Sequence, residues 1–365
     1  MRAEATVCLS ALAQNYRLCL ARALKSKKGA KLWCVVKSNA YGHGLLPCAG
    51  ALYGAGARHF AVAKIEEGIS IKEQFPLAEV LVLGKTSPKE ANALSKYRLI
   101  QSVHSFAYGK ALSEGAEGVV RVHAKLDVGM GRMGILTLSL HDMAEETLSL
   151  SCLPHILLEG VFAHRPEADD PKSAETPLQI EKFQTALRVL QGQGFELCTH
   201  LSATAALFRF GTAGCTMARA GIGLYGISPS PALAVPSLRP VLSLTCPLLQ
   251  VKALPQNTKI GYSGAWSTPT AGSVGVIPFG YADGLPRLCE GGKVYVYGHP
   301  APIVGRVSMD YATLWLGNIP AEEGDRVTVY DKKGKTLLAL AAHARTIPYD
   351  LLCSLSPRIT RKYIR

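Results

Sequence analysis

Eight short apolar runs alternate with longer amphipathic segments from about residue 10 to residue 230, and that alternation leaves few folds open. The runs fall at residues 32 to 36, 58 to 63, 80 to 84, 99 to 104, 119 to 127, 158 to 164, 198 to 203 and 217 to 225. They are rich in β-branched residues and largely continuous, as strands covered on both faces of a parallel sheet must be. Parallel neighbours need a crossover, and the amphipathic segments supply one each time. Eight such units predict an α/β fold, a (β/α)8 barrel of TIM type, whose reactive side chains sit at the carboxyl ends of the strands. The polar residues of the runs gather there: Lys37, Lys125 with Asp127, His164, Thr204 and the stretch Arg219 to Tyr225. The first helix is expected to open at Ser10, whose hydroxyl can cap it, with Leu12, Tyr16 and Leu20 near helical spacing.

After Pro229, Pro231, Pro236 and Pro240 the pattern changes to alternating strands with turn glycines, as in Lys293-Val-Tyr-Val-Tyr-Gly and Arg326-Val-Thr-Val-Tyr-Asp. The expectation is a barrel domain over residues 1–235 and a mostly β carboxyl-terminal domain over 236–365. A strand at residues 3 to 9 has no place in the barrel count.

Composition removes several function classes. No stretch of about 18 uninterrupted apolar residues is present, and the amino terminus lacks a basic segment leading into an apolar core, so a cytoplasmic protein without a membrane role is expected. The ten cysteines are scattered singly, with no Cys-x-x-Cys pair, and read as reduced thiols with no metal site. A net charge of +13 raises the question of nucleic acid, with basic clusters at Lys25, Lys27, Lys28 and Lys31 and at Arg358, Arg361, Lys362 and Arg365. No aromatic residues interleave them as a stacking platform would require, so no nucleic-acid partner is expected. The positive field suits anionic small molecules.

Lys37 ends the apolar run Leu32-Trp-Cys-Val-Val36 and opens a glycine-punctuated polar turn. A lysine at a buried strand end either snorkels to the surface or, desolvated, becomes a nucleophile toward a carbonyl such as the aldehyde of pyridoxal phosphate (PLP). The whole turn, Val-Lys37-Ser-Asn-Ala-Tyr41-Gly-His-Gly, resembles the PLP-attachment motif of alanine racemases, and further likenesses near Arg132, His164, Arg219, Tyr262, Tyr281 and Met309 span nearly the whole chain.

That resemblance implies PLP as cofactor, a homodimer, and a role for each matched position. Lys37 would hold the cofactor and act as one acid-base group. Tyr262, in Lys259-Ile-Gly-Tyr-Ser-Gly, would serve as the other, reaching in from the partner subunit, with His164 and Arg219 as its proton network. Tyr41, Thr204, Gly221 and Ile222 would bind the cofactor, the Gly221-Ile-Gly223 turn offering backbone N–H groups to phosphate. Arg219 would face the pyridine nitrogen. A guanidinium only donates there, so the ring is a weaker electron sink than one paired with a carboxylate, which favours racemisation over transamination or decarboxylation. Arg132 and, from the opposite subunit, the Met309 backbone would take the substrate carboxylate, while Lys125, Tyr281 and Asp310 border the pocket. In some members of that family the lysine matching Lys125 carries a carbamate; others use a chloride.

Three departures from the family pattern stand out. Arg165-Pro166 follows His164 where Phe-Ala is usual, Ala203-Thr204 replaces Asn-Ser, and Pro357 stands where some members have a phosphate-binding tyrosine. The implied function is interconversion of L- and D-alanine by two bases, supplying D-alanine for peptidoglycan. Alternatives are a serine-preferring or broad-specificity racemase, a fold-related decarboxylase and a non-catalytic PLP-binding protein.

Overall fold

A computed structural model describes residues 2–230, 232–233, 235 and 237–365; Pro231 and Pro236 of the expected boundary lie outside them. The chain divides into two compact units. One comprises Leu12–Ala40 and Leu45–Leu238, the other the chain up to Ala11, Tyr41–Gly44 and Arg239–Arg365.

The first unit is a closed barrel of eight parallel strands: β2 (Lys31–Val35), β3 (His59–Val62), β4 (Glu79–Val82), β5 (Ile100–Val103), β6 (Val120–Lys125), β7 (Ile156–Phe162), β8 (Cys198–His200) and β9 (Met217–Ala220). β9 closes on β2, with Trp33 opposite Arg219 and Cys34 opposite Ala220. Every strand stops before the end of its apolar run because the runs continue into the turns at the carboxyl ends of the strands. Residues 221–225 leave the ladder for a 3-10 turn at Ile222–Tyr225. The barrel interior is unusual in being partly aromatic and polar: Trp33, His123 and His200 are all buried there, with Trp33 edge-on to His59 and His123 at ring-centroid distances of 5.2 and 5.8 Å.

The second unit is built on a nine-stranded sheet. Its strands are β1 (Glu4–Cys8), β10 (Leu242–Pro247), β11 (Gln250–Leu254), β14 (Gly272–Ile277), β15 (Lys293–Val296), β16 (His299–Val304), β17 (Ala312–Gly317), β18 (Arg326–Tyr330) and β19 (Thr360–Ile364). β1 lies between β10, antiparallel, and β19, parallel. A small hairpin, β12 (Lys259–Ile260) with β13 (Trp266–Ser267), carries the Tyr262 turn. The architecture matches the expected fold class, a (β/α)8 barrel followed by a mostly β carboxyl-terminal region.

One local expectation fails. The first helix spans Leu9–Ser26, so Ser10 is inside it and does not cap it. β1 ends at Cys8 and the helix begins at the next residue, leaving no loop residue to serve as a cap; the Ser10 hydroxyl instead lies 3.3 Å from the Cys8 thiol.

Candidate active site

The turn after β2 is where the local backbone departs furthest from the ordinary. Ser38, Asn39 and Ala40 have φ of 54° and Tyr41 has 52°, four consecutive side-chain-bearing residues in the left-handed region. Each costs about 1–2 kcal/mol relative to right-handed backbone, so the turn persists only if its surroundings hold it. Glu67 Oε1 accepts the Asn39 N–H at 3.0 Å, the Asn39 side-chain oxygen accepts the Leu45 N–H at 2.8 Å, and the Ala40 N–H reaches the Val36 carbonyl at 2.8 Å. The other Glu67 oxygen takes the Ala63 and Lys64 N–H groups at the start of the helix Ile65–Gln74. One carboxylate thus braces both the turn and a helix end. Lys37 is the first residue of this turn.

Around Lys37 the carboxyl ends of the barrel strands collect positive charge. Lys125 closes β6, and Asp127 just beyond it organises the following loop: Oδ1 accepts from Gly129, Met130 and Gly131, and Oδ2 accepts from the Arg132 N–H at 3.0 Å. Burial opposes the Asp127 charge, but the four N–H donors outweigh it and hold the carboxyl below its usual range. The loop presents Arg132 exposed at the mouth. Burial, then the nearby Arg132 and Arg219, pushes the Lys125 amine down to about 8, with Lys37 adding to the effect and Asp127 opposing it. His164, beyond β7, is driven down to about 3 by burial and then by Arg219, Arg132, Lys125 and Lys37. Lys37, Arg132 and Arg219 all bear on both Lys125 and His164, which makes this end of the barrel a cationic cup, and the carboxylate that opposes them at Lys125, Asp127, is committed to backbone N–H groups.

Arg219 is the buried anchor of that cup. Its Nη1 donates to the His200 carbonyl at 2.9 Å and to His200 Nδ1 at 2.7 Å; its Nη2 donates to the carbonyls of Ala163 and Leu201 at 2.7 and 3.2 Å, with a longer 3.4 Å contact to His164 Nδ1. The ends of β7, β8 and β9 are tied together by one guanidinium. Both terminal nitrogens are used, and the Nε–H takes no partner among the described residues, so one planar donor remains for a ligand. Burial pulls the Arg219 pKa down to about 10, still leaving it charged at neutral pH.

Thr204 opens the helix Thr204–Phe210, and its Oγ1 accepts the N–H groups of Gly221 and Gly223 at 3.0 and 3.5 Å. Because that oxygen accepts both, its own O–H stays available as a donor toward an anion. The approach is close enough that a Cβ on Gly223 would stand 2.7 Å from Thr204 Cγ2. Ile222 is fully buried in the same turn. The two glycine N–H groups are given to Thr204, so the Thr204 O–H and the cationic rim are the donors that fit a phosphate, and the spare Arg219 donor fits an unprotonated ring nitrogen.

The remaining sequence-marked residues belong to the second unit. Tyr41 is buried, its ring 6.0 Å from that of Tyr349, and burial, with Tyr349 and Cys353 beside it, pushes its phenol up. Tyr281 and Met309 are brought together: the Tyr281 N–H bonds the Ser308 carbonyl and the Ala282 N–H the Met309 carbonyl, both at 3.0 Å. A Cβ at Gly280 would lie 2.3 Å from that same Met309 oxygen, so the pairing depends on glycine there. The Tyr262 turn lies against Gly305 and Arg306. Tyr262, Tyr281, Met309 and Tyr311 are all exposed, at 67, 45, 54 and 49%. Asp310 is engaged in an ion pair with Arg358, which also meets the buried Asp283. Of the departures, Arg165 is buried against the Phe210 ring and reaches Ser202 Oγ at 3.4 Å, and Ala203 precedes the Thr204 helix as its cap position without a side-chain bond.

Two residues of this site, Glu67 and His200, were invisible to the motif reading. His200 ends β8, and no strand spacing links it to Thr204, which opens the next helix.

The sequence matches the family models for the alanine racemase N-terminal domain over residues 7–229 and the alanine racemase C-terminal domain over residues 241–363. It is 35% identical over 356 residues to an alanine racemase of Syntrophobacter fumaroxidans, covering 95% of this chain and 93% of that one, and 36% identical over 348 residues to one of Listeria monocytogenes, covering 93 and 92%. The fold is similar to a crystal structure of alanine racemase from Bacillus anthracis with bound L-Ala-P, at a TM-score of 0.92 and 29% identity over 100% of this chain and 96% of that one. It is similar also to the enzyme from E. faecalis, at 0.90 and 32% over 99 and 98%. Fold and site together define an isomerase of the amino acid racemase class. The chain belongs to the alanine racemase family, and racemisation of alanine is the activity that membership assigns.

Proposed function

We propose that this chain is a PLP-dependent alanine racemase that works as a homodimer by two-base chemistry and supplies D-alanine for peptidoglycan. The observation that carries the reading is Arg219: buried, charged, fixed through both terminal nitrogens, and left with a single Nε–H donor beside Lys37 and the Thr204–Gly221–Gly223 turn. PLP, when bound, supplies the electron sink that acidifies the substrate Cα–H. Lys37 would hold it through the aldehyde, Thr204, Gly221, Ile222 and Tyr41 would hold its phosphate, and Arg219 would donate to its ring nitrogen. The cationic cup attracts the substrate carboxylate, with Arg132 as its donor and the Met309 N–H of the partner subunit as a second.

Inversion at Cα needs a proton removed from one face and delivered to the other. Lys37 Nζ serves one face and Tyr262 Oη the other. The neutral His164 supports Tyr262: its Nδ1 faces the Arg219 donors, so its proton sits on Nε2 and can be offered to a phenolate. Tyr262, Tyr281 and Met309 are exposed apolar and aromatic side chains of the second unit, which supports burial against a partner subunit. No helix among the described residues is long and apolar enough to cross a membrane, and none of their His, Cys, Asp and Glu side chains form a cluster able to hold a metal ion; we place the enzyme in the cytoplasm. Arg219 occupies the position where the decarboxylase alternative calls for a carboxylate.

Borohydride reduction of the PLP-loaded protein, followed by peptide mapping, tests the cofactor assignment. Label on the Lys37 peptide is expected; label elsewhere, or none, refutes it. Sedimentation tests the dimer, which a fully active monomer would rule out.

A further inference from the structure

His200 can accept from Arg219 only in one tautomer. A guanidinium has no lone pair to offer, so at 2.7 Å the His200 Nδ1 must be the acceptor and its proton must sit on Nε2. That Nε2–H points into the buried barrel interior, where an unpaired donor is costly. It meets His123 Nδ1 at 2.9 Å. His123 therefore accepts, and carries its own proton on Nε2. In this geometry the column Arg219 to His200 to His123 has a single hydrogen-bond polarity, which both neighbours of His200 enforce: Arg219 as donor to Nδ1 and His123 as acceptor from Nε2–H.

The barrel is shaped to keep His123 in that position. A Cβ at Gly160 on β7 would stand 2.6 Å from His123 Nε2 and 2.7 Å from the Cys198 carbonyl, so only glycine leaves room for the ring. Trp33 closes the other side, with its ring centroid 5.8 Å from that of His123 and 5.9 Å from that of His200. Burial, then Arg121 and His59, holds His123 down to about 3. A protonated His123 would present a donor to a donor and break the column; near neutral pH it does not.

We propose that His123, seated in the gap left by Gly160, is a positioning residue for the racemisation: its Nδ1 locks His200 in the Nε2–H tautomer and so keeps the Arg219 guanidinium aimed at the cofactor ring. Without that acceptor His200 gains nothing from Nε2–H and can carry its proton on Nδ1. There it would confront the Arg219 Nη1–H group, and the guanidinium would have to swing away. This deepens the proposed function and rests on it for the cofactor.

Histidine-labelled NMR of the PLP-loaded enzyme reads the tautomers directly, and kcat and KM are measured on the same samples. The wild type is expected to show His200 as Nε2–H. In His123→Leu the His200 signals should move toward Nδ1–H, with kcat falling about tenfold or more and KM changing less. His123→Asn, whose Oδ1 can stand where Nδ1 stood, should restore the Nε2–H signals and most of kcat. A His123→Leu enzyme that keeps the wild-type His200 signals and kcat overturns the proposal. So does a wild type with His200 as Nδ1–H, or a folded His123→Asn enzyme with wild-type His200 signals but the kcat of a disabled site. Should His123→Leu not fold, the wild-type and His123→Asn spectra still decide. Lys37 labelling on each variant tests the PLP assignment separately, since it does not depend on the tautomer of His200.

Discussion

Glu67 Oε1 accepts the backbone N–H of Asn39 at 3.0 Å, across 28 residues of sequence, and this bond holds the left-handed turn that begins at Lys37. The same carboxylate receives Ala63 and Lys64 through its second oxygen. Glu67→Gln keeps one acceptor and loses the charge and the other, so the turn and the helix start compete for what is left. Hydrogen bonds to a charged group are worth about 1.5–3 kcal/mol each. The unfolding free energy in urea is expected to drop by about that amount, and racemase kcat to fall with it. Stability within about 0.5 kcal/mol of wild type would mean the turn is held by something else.

Gly223 is expected to be intolerant of a methyl group. Its Cβ would meet Thr204 Cγ2 at 2.7 Å, and the threonine could yield only by moving the hydroxyl that receives Gly221 and Gly223. Overpacking of this kind costs about 1–3 kcal/mol, which corresponds to roughly five- to 150-fold in PLP affinity if the cradle bears the strain. Fluorescence titration of the cofactor-free Gly223→Ala protein with PLP measures it. Unchanged affinity would remove the Thr204–Gly223 turn from the phosphate site.

Four buried or largely buried histidines make the fold sensitive to acid. Burial holds His59 down to about 4 and His123 and His164 to about 3, and pushes His200 well below its ordinary value; neighbouring cations add to each. A base whose folded pKa lies below its unfolded value contributes its full stability above the unfolded pKa, near 6.5, because both states are then neutral there. Below that pH the unfolded chain binds the proton and the folded one does not, so stability falls with falling pH by about 1.4 kcal/mol per unit for each such group. Urea midpoints should be level between roughly pH 7 and 8 and decline steeply toward pH 5. His123→Leu is expected to show a shallower decline whatever its absolute stability; an unchanged slope would mean His123 titrates normally.

The barrel was readable because parallel strands buried on both faces appear as unbroken apolar runs, and all eight runs contain a strand. Their ends were not: the run at 217 to 225 supplies only Met217–Ala220, since Gly221 and Ile222 turn out of the ladder to form the Thr204 cradle. Lys37 follows β2, Arg219 lies next to the last residue of β9 and Thr204 opens the helix after β8, so each marks where an apolar run gives way to polar residues. His200 ends β8 within the apolar run 198 to 203, where a histidine passes for a core residue until a guanidinium is seen 2.7 Å away. Glu67 could not be found at all, because a bond from a helix to a turn 28 residues earlier leaves no local pattern. The Ser10 cap failed for the opposite reason: a good local signal was overridden by a strand that runs straight into the helix.

Two-base chemistry at Lys37 and Tyr262 is tested most directly by exchange of the alanine α-proton with deuterium. The wild type, Lys37→Ala and Tyr262→Phe are compared, starting separately from L- and from D-alanine. Lys37→Ala is expected to lose exchange from both enantiomers. Tyr262→Phe is expected to impair the two directions unequally, with exchange persisting from the enantiomer whose Cα–H faces the lysine and collapsing from the other. Equal and undiminished exchange from both enantiomers in Tyr262→Phe would contradict the assignment of the second base.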